Sequence, residues 1–135
     1  MSTLNGTFEL ASWDEQTVQE LEGERKLTRA VVTQTFTGDL EGAGAVEWLM
    51  CYAEDGTARF VGMQRVDGSI EGRSGIVVLE TVGDFDGTTA SGSWKVVPGS
   101  ATGELTGISG EGRFEAPHGP TATYTLEVAF DRSLV

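Results

Sequence analysis

Cysteine, histidine, proline and basic residues are all scarce in this chain, and most of these scarcities remove a class of function. The single cysteine, Cys51, excludes an internal disulfide and any metal centre built from several thiolates, and makes a reducing cytoplasm the expected setting. The single histidine, His118, sits between Pro117 and Gly119-Pro120, cannot build a multi-histidine site, and reads as a solvated turn residue. No metal or cofactor is expected. Nine Lys and Arg against 21 Asp and Glu give a formal charge of −12, which repels phosphate backbones and anionic membranes, so no nucleic acid and no membrane is expected as a partner. No apolar run reaches the roughly 18 residues of a membrane-spanning helix, and Met1-Ser-Thr-Leu-Asn-Gly lacks the basic opening and apolar stretch of an export signal.

Glycine is abundant instead. The 19 glycines are spaced between β-branched and aromatic runs, which describes strands joined by tight turns and not a low-complexity segment. With 135 residues the chain can bury one core but is short for two, so residues 1–135 are read as one domain. Residues 5–13 alternate Thr7, Glu9 and Ala11 with Phe8, Leu10 and Ser12, as a half-buried strand does, while residues 14–23 read as an acidic loop or single turn. Thr28, Thr33, Thr35 and Thr37 argue for a long strand over residues 26–39. Further strands are expected over 45–52, 58–66, 76–82, 88–97, 110–115 and 121–130, with turns at Glu54-Asp-Gly-Thr, Asp67-Gly-Ser and Asp84-Phe-Asp-Gly. Gly99-Ser-Ala-Thr-Gly-Glu-Leu lacks the lysine and following helix of a phosphate loop, and reads as a turn in which Ser100, Thr102 and Glu104 cap local backbone groups. Eight strands with mostly short links favour an all-β, up-and-down antiparallel barrel, with a two-sheet β-sandwich as the competing architecture.

Polar side chains on otherwise apolar strand faces are the candidates for chemistry, because a lone charge there is costly unless paired. Glu47 shares a face with Ala45, Leu49 and Cys51; Glu80 shares one with Ile76, Val78 and Val82. Gln64 goes with Phe60 and Val66, Arg29 with Leu27 and Val31, and Arg65 with Val61 and Met63. If these faces line one lumen, Glu47 and Glu80 become general acid/base candidates, and Gln64, Arg29 and Arg65 become ligand contacts. The competing reading pairs Glu47 or Glu80 with Arg65 or Arg29, or turns them to solvent. Trp13, Trp48, Tyr52, Trp94, Tyr124 and the phenylalanines can wall a flat ligand or simply fill the core. Cys51, flanked by Leu49, Met50 and Tyr52, has no cation to activate it and reads as a buried inert thiol. Runs such as 45–50 and 76–79 are apolar on both faces, which predicts an outer wall covered by another subunit, hence a homo-oligomer.

Gly38-Asp-Leu-Glu-Gly, Phe60-Val-Gly-Met-Gln-Arg-Val-Asp-Gly-Ser-Ile-Glu-Gly-Arg-Ser-Gly and Val96-Val-Pro-Gly-Ser-Ala-Thr-Gly-Glu-Leu-Thr-Gly-Ile-Ser-Gly together resemble the DUF3224 group of small bacterial proteins. Ala101 stands where that pattern usually has glycine, and Gln64 where relatives often have glutamate. The resemblance implies an eight-stranded barrel like that of the allene oxide cyclases, oligomerisation, and no established reaction; no catalytic residue carries over.

Two functions follow as expectations. One is a barrel that binds a small hydrophobic molecule, and acts as a cyclase or isomerase by confinement, with Glu47 or Glu80 assisting as acid or base and Gln64 positioning a water or oxygen. The other is a non-enzymatic oligomeric scaffold with a filled interior.

Overall fold

Every-other-residue burial runs through seven of the eight strands and the first part of β1, in a sheet whose edges meet. The strands are β1 (Ser2–Glu20), β2 (Lys26–Gly38), β3 (Leu40–Tyr52), β4 (Ala58–Ile70), β5 (Arg73–Phe85), β6 (Ala90–Val96), β7 (Ile108–Ala116) and β8 (Thr121–Phe130). Each pairs antiparallel with the next, and β8 returns to β1, so the barrel is closed and the sandwich is excluded. The computed structural model describes residues 2–117 and 121–130, and the reading of His118 as a turn residue lies outside them. Among the described residues no helix is long and apolar enough to cross a membrane.

The segment 14–23 departs from expectation. Instead of looping, β1 continues to Glu20, paired with β2 as far as Glu20↔Lys26, with bulges between Leu10 and Ser12 and between Thr17 and Gln19. β8 pairs with β1 only as far as Glu9, so from Leu10 onward β1 is an edge arm held by β2 alone, while β2 itself stays paired with β3 from Lys26 to Phe36. An acidic, polar sequence suits an edge strand largely exposed to water, which is why it does not look like a half-buried strand.

The interior is packed with rings. Phe8, Phe36, Trp94, Phe114 and Tyr124 interlock at centroid separations of 5.3 to 6.1 Å. Glycines make the room: Gly62 faces Trp48, Gly83 faces Phe60 and Gly92 faces Phe114 across the ladder. A Cβ at Gly92 would stand 2.8 Å from the Phe114 ring.

β6 is short and covers only the Leu79–Phe85 half of β5. Below it the amides of Val78, Ile76 and Ser74 donate to Ser100 Oγ (3.1 Å), Thr102 Oγ1 (3.2 Å) and Glu104 Oε1 (3.1 Å). These side chains therefore do cap backbone groups, but of a distant strand edge, where they replace a missing ladder.

Candidate functional site: an aromatic mouth

At the end of the barrel carrying the 53–57 and 86–89 turns, the ring packing gives way to a cavity of about 300 Å³. Phe8, Trp48, Phe60 and Phe114 floor it; Met50, Phe85, Ala90, Ala116 and Ala122 wall it. The arm supplies Leu10 and Trp13, which are 39% and 45% exposed although they face this apolar space. Trp13 packs against Trp48 at 5.7 Å between centroids. A concave, largely apolar chamber with few polar groups is the usual form of a small-molecule site, and its volume lies at the small end of the range of roughly 300–1,000 Å³.

The polar groups at the rim converge on one carboxylate. Glu15 accepts hydrogen bonds from Trp13 Nε1 (3.1 Å), Thr28 Oγ1 (2.6 Å) and Tyr52 Oη (2.8 Å). Burial pushes its pKa up, but these three donors and the charge of Lys26 outweigh that and hold it below the ordinary carboxylate value. Tyr52 is pushed up to about 12, by burial first and then by its bond to, and the charge of, Glu15. Lys26 Nζ lies 5.1 Å from the centre of the Tyr52 ring. Glu15 thus ties the Trp13 side of the arm to β2 and β3 beside the mouth.

The residues singled out from sequence divide among three places. Trp48 and Tyr52 line the mouth. Gln64 and Trp94 point inward but are buried, at 0% and 2% exposure, beneath the mouth. Tyr124 also points inward, and its hydroxyl is engaged by the backbone, accepting from Leu40 N (2.9 Å) and lying 3.1 Å from the carbonyls of Thr37 and Leu40. Glu47, Glu80, Arg29 and Arg65 project from the outer wall, correcting the shared-lumen placement, because their neighbours Val46, Trp48, Leu79, Thr81, Ala30, Gln64 and Val66 hold the inner face. Glu47 accepts from Arg29 Nε (2.7 Å) in an exposed ion pair. Cys51 is exposed, not buried.

Glu15 escaped sequence reasoning, and Trp13 entered it only as one of several aromatics able to stack on a flat ligand. Both point inward only because the bulge after Leu10 shifts the strand's phase, so an alternation counted from Phe8 assigns them to the wrong face. Val31, Leu49, Val61 and Met63 form an exposed apolar band on the outer wall, 40 to 58% exposed, where two-faced hydrophobicity predicted a covered surface.

The model of a family described as "Protein of unknown function (DUF3224)" matches residues 4–128. The fold is similar to the 1.84 Å crystal structure of a protein of unknown function of that family from Shewanella oneidensis MR-1. The two share 27% sequence identity with a TM-score of 0.83, over 97% of this chain and 98% of that one. A comparison with curated proteins found no match.

Proposed function

The chain belongs to the DUF3224 family of proteins of unknown function, and from that premise we propose that it binds a small hydrophobic molecule in the mouth of its barrel. The observation that carries this reading is the 300 Å³ chamber lined by Phe8, Trp13, Trp48, Phe60 and Phe114. Apolar side chains left partly open to water at a concave site gain from a ligand that displaces that water. The likeness to allene oxide cyclase-like barrels belongs to the same reading, since confinement of an apolar molecule is what such a chamber does. If confinement is joined to acid/base chemistry, the rim offers Glu15 and Tyr52; Glu47 and Glu80 face away from the chamber on the outer wall.

The test is titration with an environment-sensitive apolar dye. Saturation at one dye per barrel is expected, abolished by filling the mouth with Ala116→Phe. Wild-type protein that never saturates, or a filled variant that binds as well as wild type, refutes the reading. Native mass spectrometry of protein from its host then identifies a carried molecule.

A second reading is favoured by the outer band: we propose that a second copy covers Val31, Leu49, Val61 and Met63. The band is flanked by the Arg29–Glu47 pair and by Glu80, so a two-fold contact can set Arg29 of one copy against a carboxylate of the other. Light scattering of wild type and of the Leu49→Lys, Met63→Lys double variant decides it; a monomeric wild type sinks it. The reading is of a cytoplasmic protein, supported by the exposed thiol of Cys51.

A further inference from the structure

Beneath the mouth the barrel interior contains polar atoms that no group among the described residues satisfies. Gln34, Gln64 and Thr81 are 2%, 0% and 0% exposed, Trp94 2% and Trp48 6%. Gln64 Nε2 donates to Gln34 Oε1, which leaves Gln34 Nε2 and Gln64 Oε1 without partners. Turning both amides over only exchanges which residue holds the spare N–H and which the spare carbonyl. Trp48 Nε1, Trp94 Nε1 and Thr81 Oγ1 are also unpartnered.

The register gathers these groups on one side of the lumen. Trp48 of β3 faces Gly62 of β4, Gly62 faces Thr81 of β5, and Thr81 faces Trp94 of β6. Gly62 puts no side chain between the Trp48 indole and Thr81. Gln64 is the next inward residue along β4, and its amide reaches Gln34 of β2. Buried polar groups are nearly always paired, and leaving five bare would penalise folding by an amount comparable to the whole net stability of a domain. In an apolar interior such groups therefore require a partner.

We propose that this polar belt is an internal water-binding site of the barrel, lying below the mouth and sharing Trp48 with its floor. The chemistry of the five atoms matches about two water molecules, one making three hydrogen bonds and the other two, within the ordinary range of buried waters. One accepts from the Trp48 and Trp94 indoles and donates to Thr81 Oγ1. The other accepts from the spare amide N–H of the glutamine pair and donates to its spare carbonyl. A chain of this length carries on the order of five buried waters, so two in one cluster is within the ordinary number.

High-resolution crystallography of the full chain, with water-to-protein NMR exchange at the indole N–H groups, tests this. Expected are ordered waters within hydrogen-bond distance of Trp48 Nε1, Trp94 Nε1, Thr81 Oγ1 and the glutamine amides, and water cross-peaks at both indole protons but weaker ones at Trp13, whose N–H is held by Glu15. Oxygen-17 relaxation dispersion counts long-lived waters directly, and Thr81→Val should lower the count by about one. Direct contacts between the side chains, or indoles turned onto neighbouring rings with no water between, overturn the proposal. Should Thr81→Val not fold, the wild-type density and dispersion decide alone.

Discussion

Replacing Gly62 by alanine probes the principle on which the barrel interior is built, that an inward glycine is vacant so that a neighbouring ring can lie across it. Gly62 lies between Trp48 and Thr81 on the ladder, and an added Cβ would run into the Glu47 carbonyl oxygen and stand 2.6 Å from Trp48 Cδ1. Two effects oppose. Alanine narrows the unfolded ensemble and so favours folding by about 0.4–1 kcal/mol. Overpacking a close-packed interior costs about 1–3 kcal/mol, and the upper end applies because one of the two obstacles is backbone, which cannot rotate aside. The net expectation is a loss of about 2 kcal/mol. With a urea m-value in the range of about 1–3 kcal/mol/M, the unfolding midpoint falls by about 1 M while m is unchanged. Gly56→Ala is the companion: nothing lies within 4 Å of its added Cβ, and its φ of +89° leaves only backbone strain, about 1 kcal/mol. Denaturation followed by far-ultraviolet circular dichroism reads both. A Gly62→Ala protein as stable as wild type, or less perturbed than Gly56→Ala, refutes the reasoning that the ring fixes the glycine.

Tyr124→Phe leaves the buried amide of Leu40 without its acceptor and should lower stability by about 1–3 kcal/mol in the same assay; no loss means that the amide finds another partner. At the two-residue β4–β5 turn both central residues have positive φ, 53° at Glu71 and 78° at Gly72, the type I′ pattern that Asn-Gly suits better, so Glu71→Asn should raise the melting temperature, by about 0.5–1 kcal/mol of stability. Tyrosinate absorbance should show Tyr52 ionising near 12, and Glu15→Gln should bring that titration down toward 10. Because the folded pKa is raised, the stability it contributes is full below pH 10 and is lost as pH rises through about 12. Glu15 has the opposite sign. Its folded pKa is lowered, so its contribution is present above the ordinary carboxylate pKa and is lost as acid carries the pH down through the folded value; Glu15→Gln should flatten the acid limb of the stability profile.

What the sequence by itself determined is the number of strands and their antiparallel order, while the β8–β1 pairing that closes the barrel came from the tertiary structure. Alternation at period 2, interrupted by Gly and Asp turn residues, is a local property, and eight such runs with short links leave a barrel as the natural way to remove both sheet edges. Which face of each strand points inward was beyond it. Ala45, Leu49, Val78 and Val82 on one face are as apolar as Val46, Met50, Val77 and Leu79 on the other, so Glu47 and Glu80 could be assigned to the lumen as readily as to the wall. The phase is set by packing: the rings need the glycines opposite them, and only one phase brings Trp48 to Gly62 and Phe60 to Gly83. Tertiary structure also decided the mouth. The bulge after Leu10 turns Trp13 and Glu15 inward, and Glu15 finds Thr28 and Tyr52 on two other strands. A site assembled from three strands at one barrel end has no local signature, because residues far apart in the chain become neighbours only when the register closes.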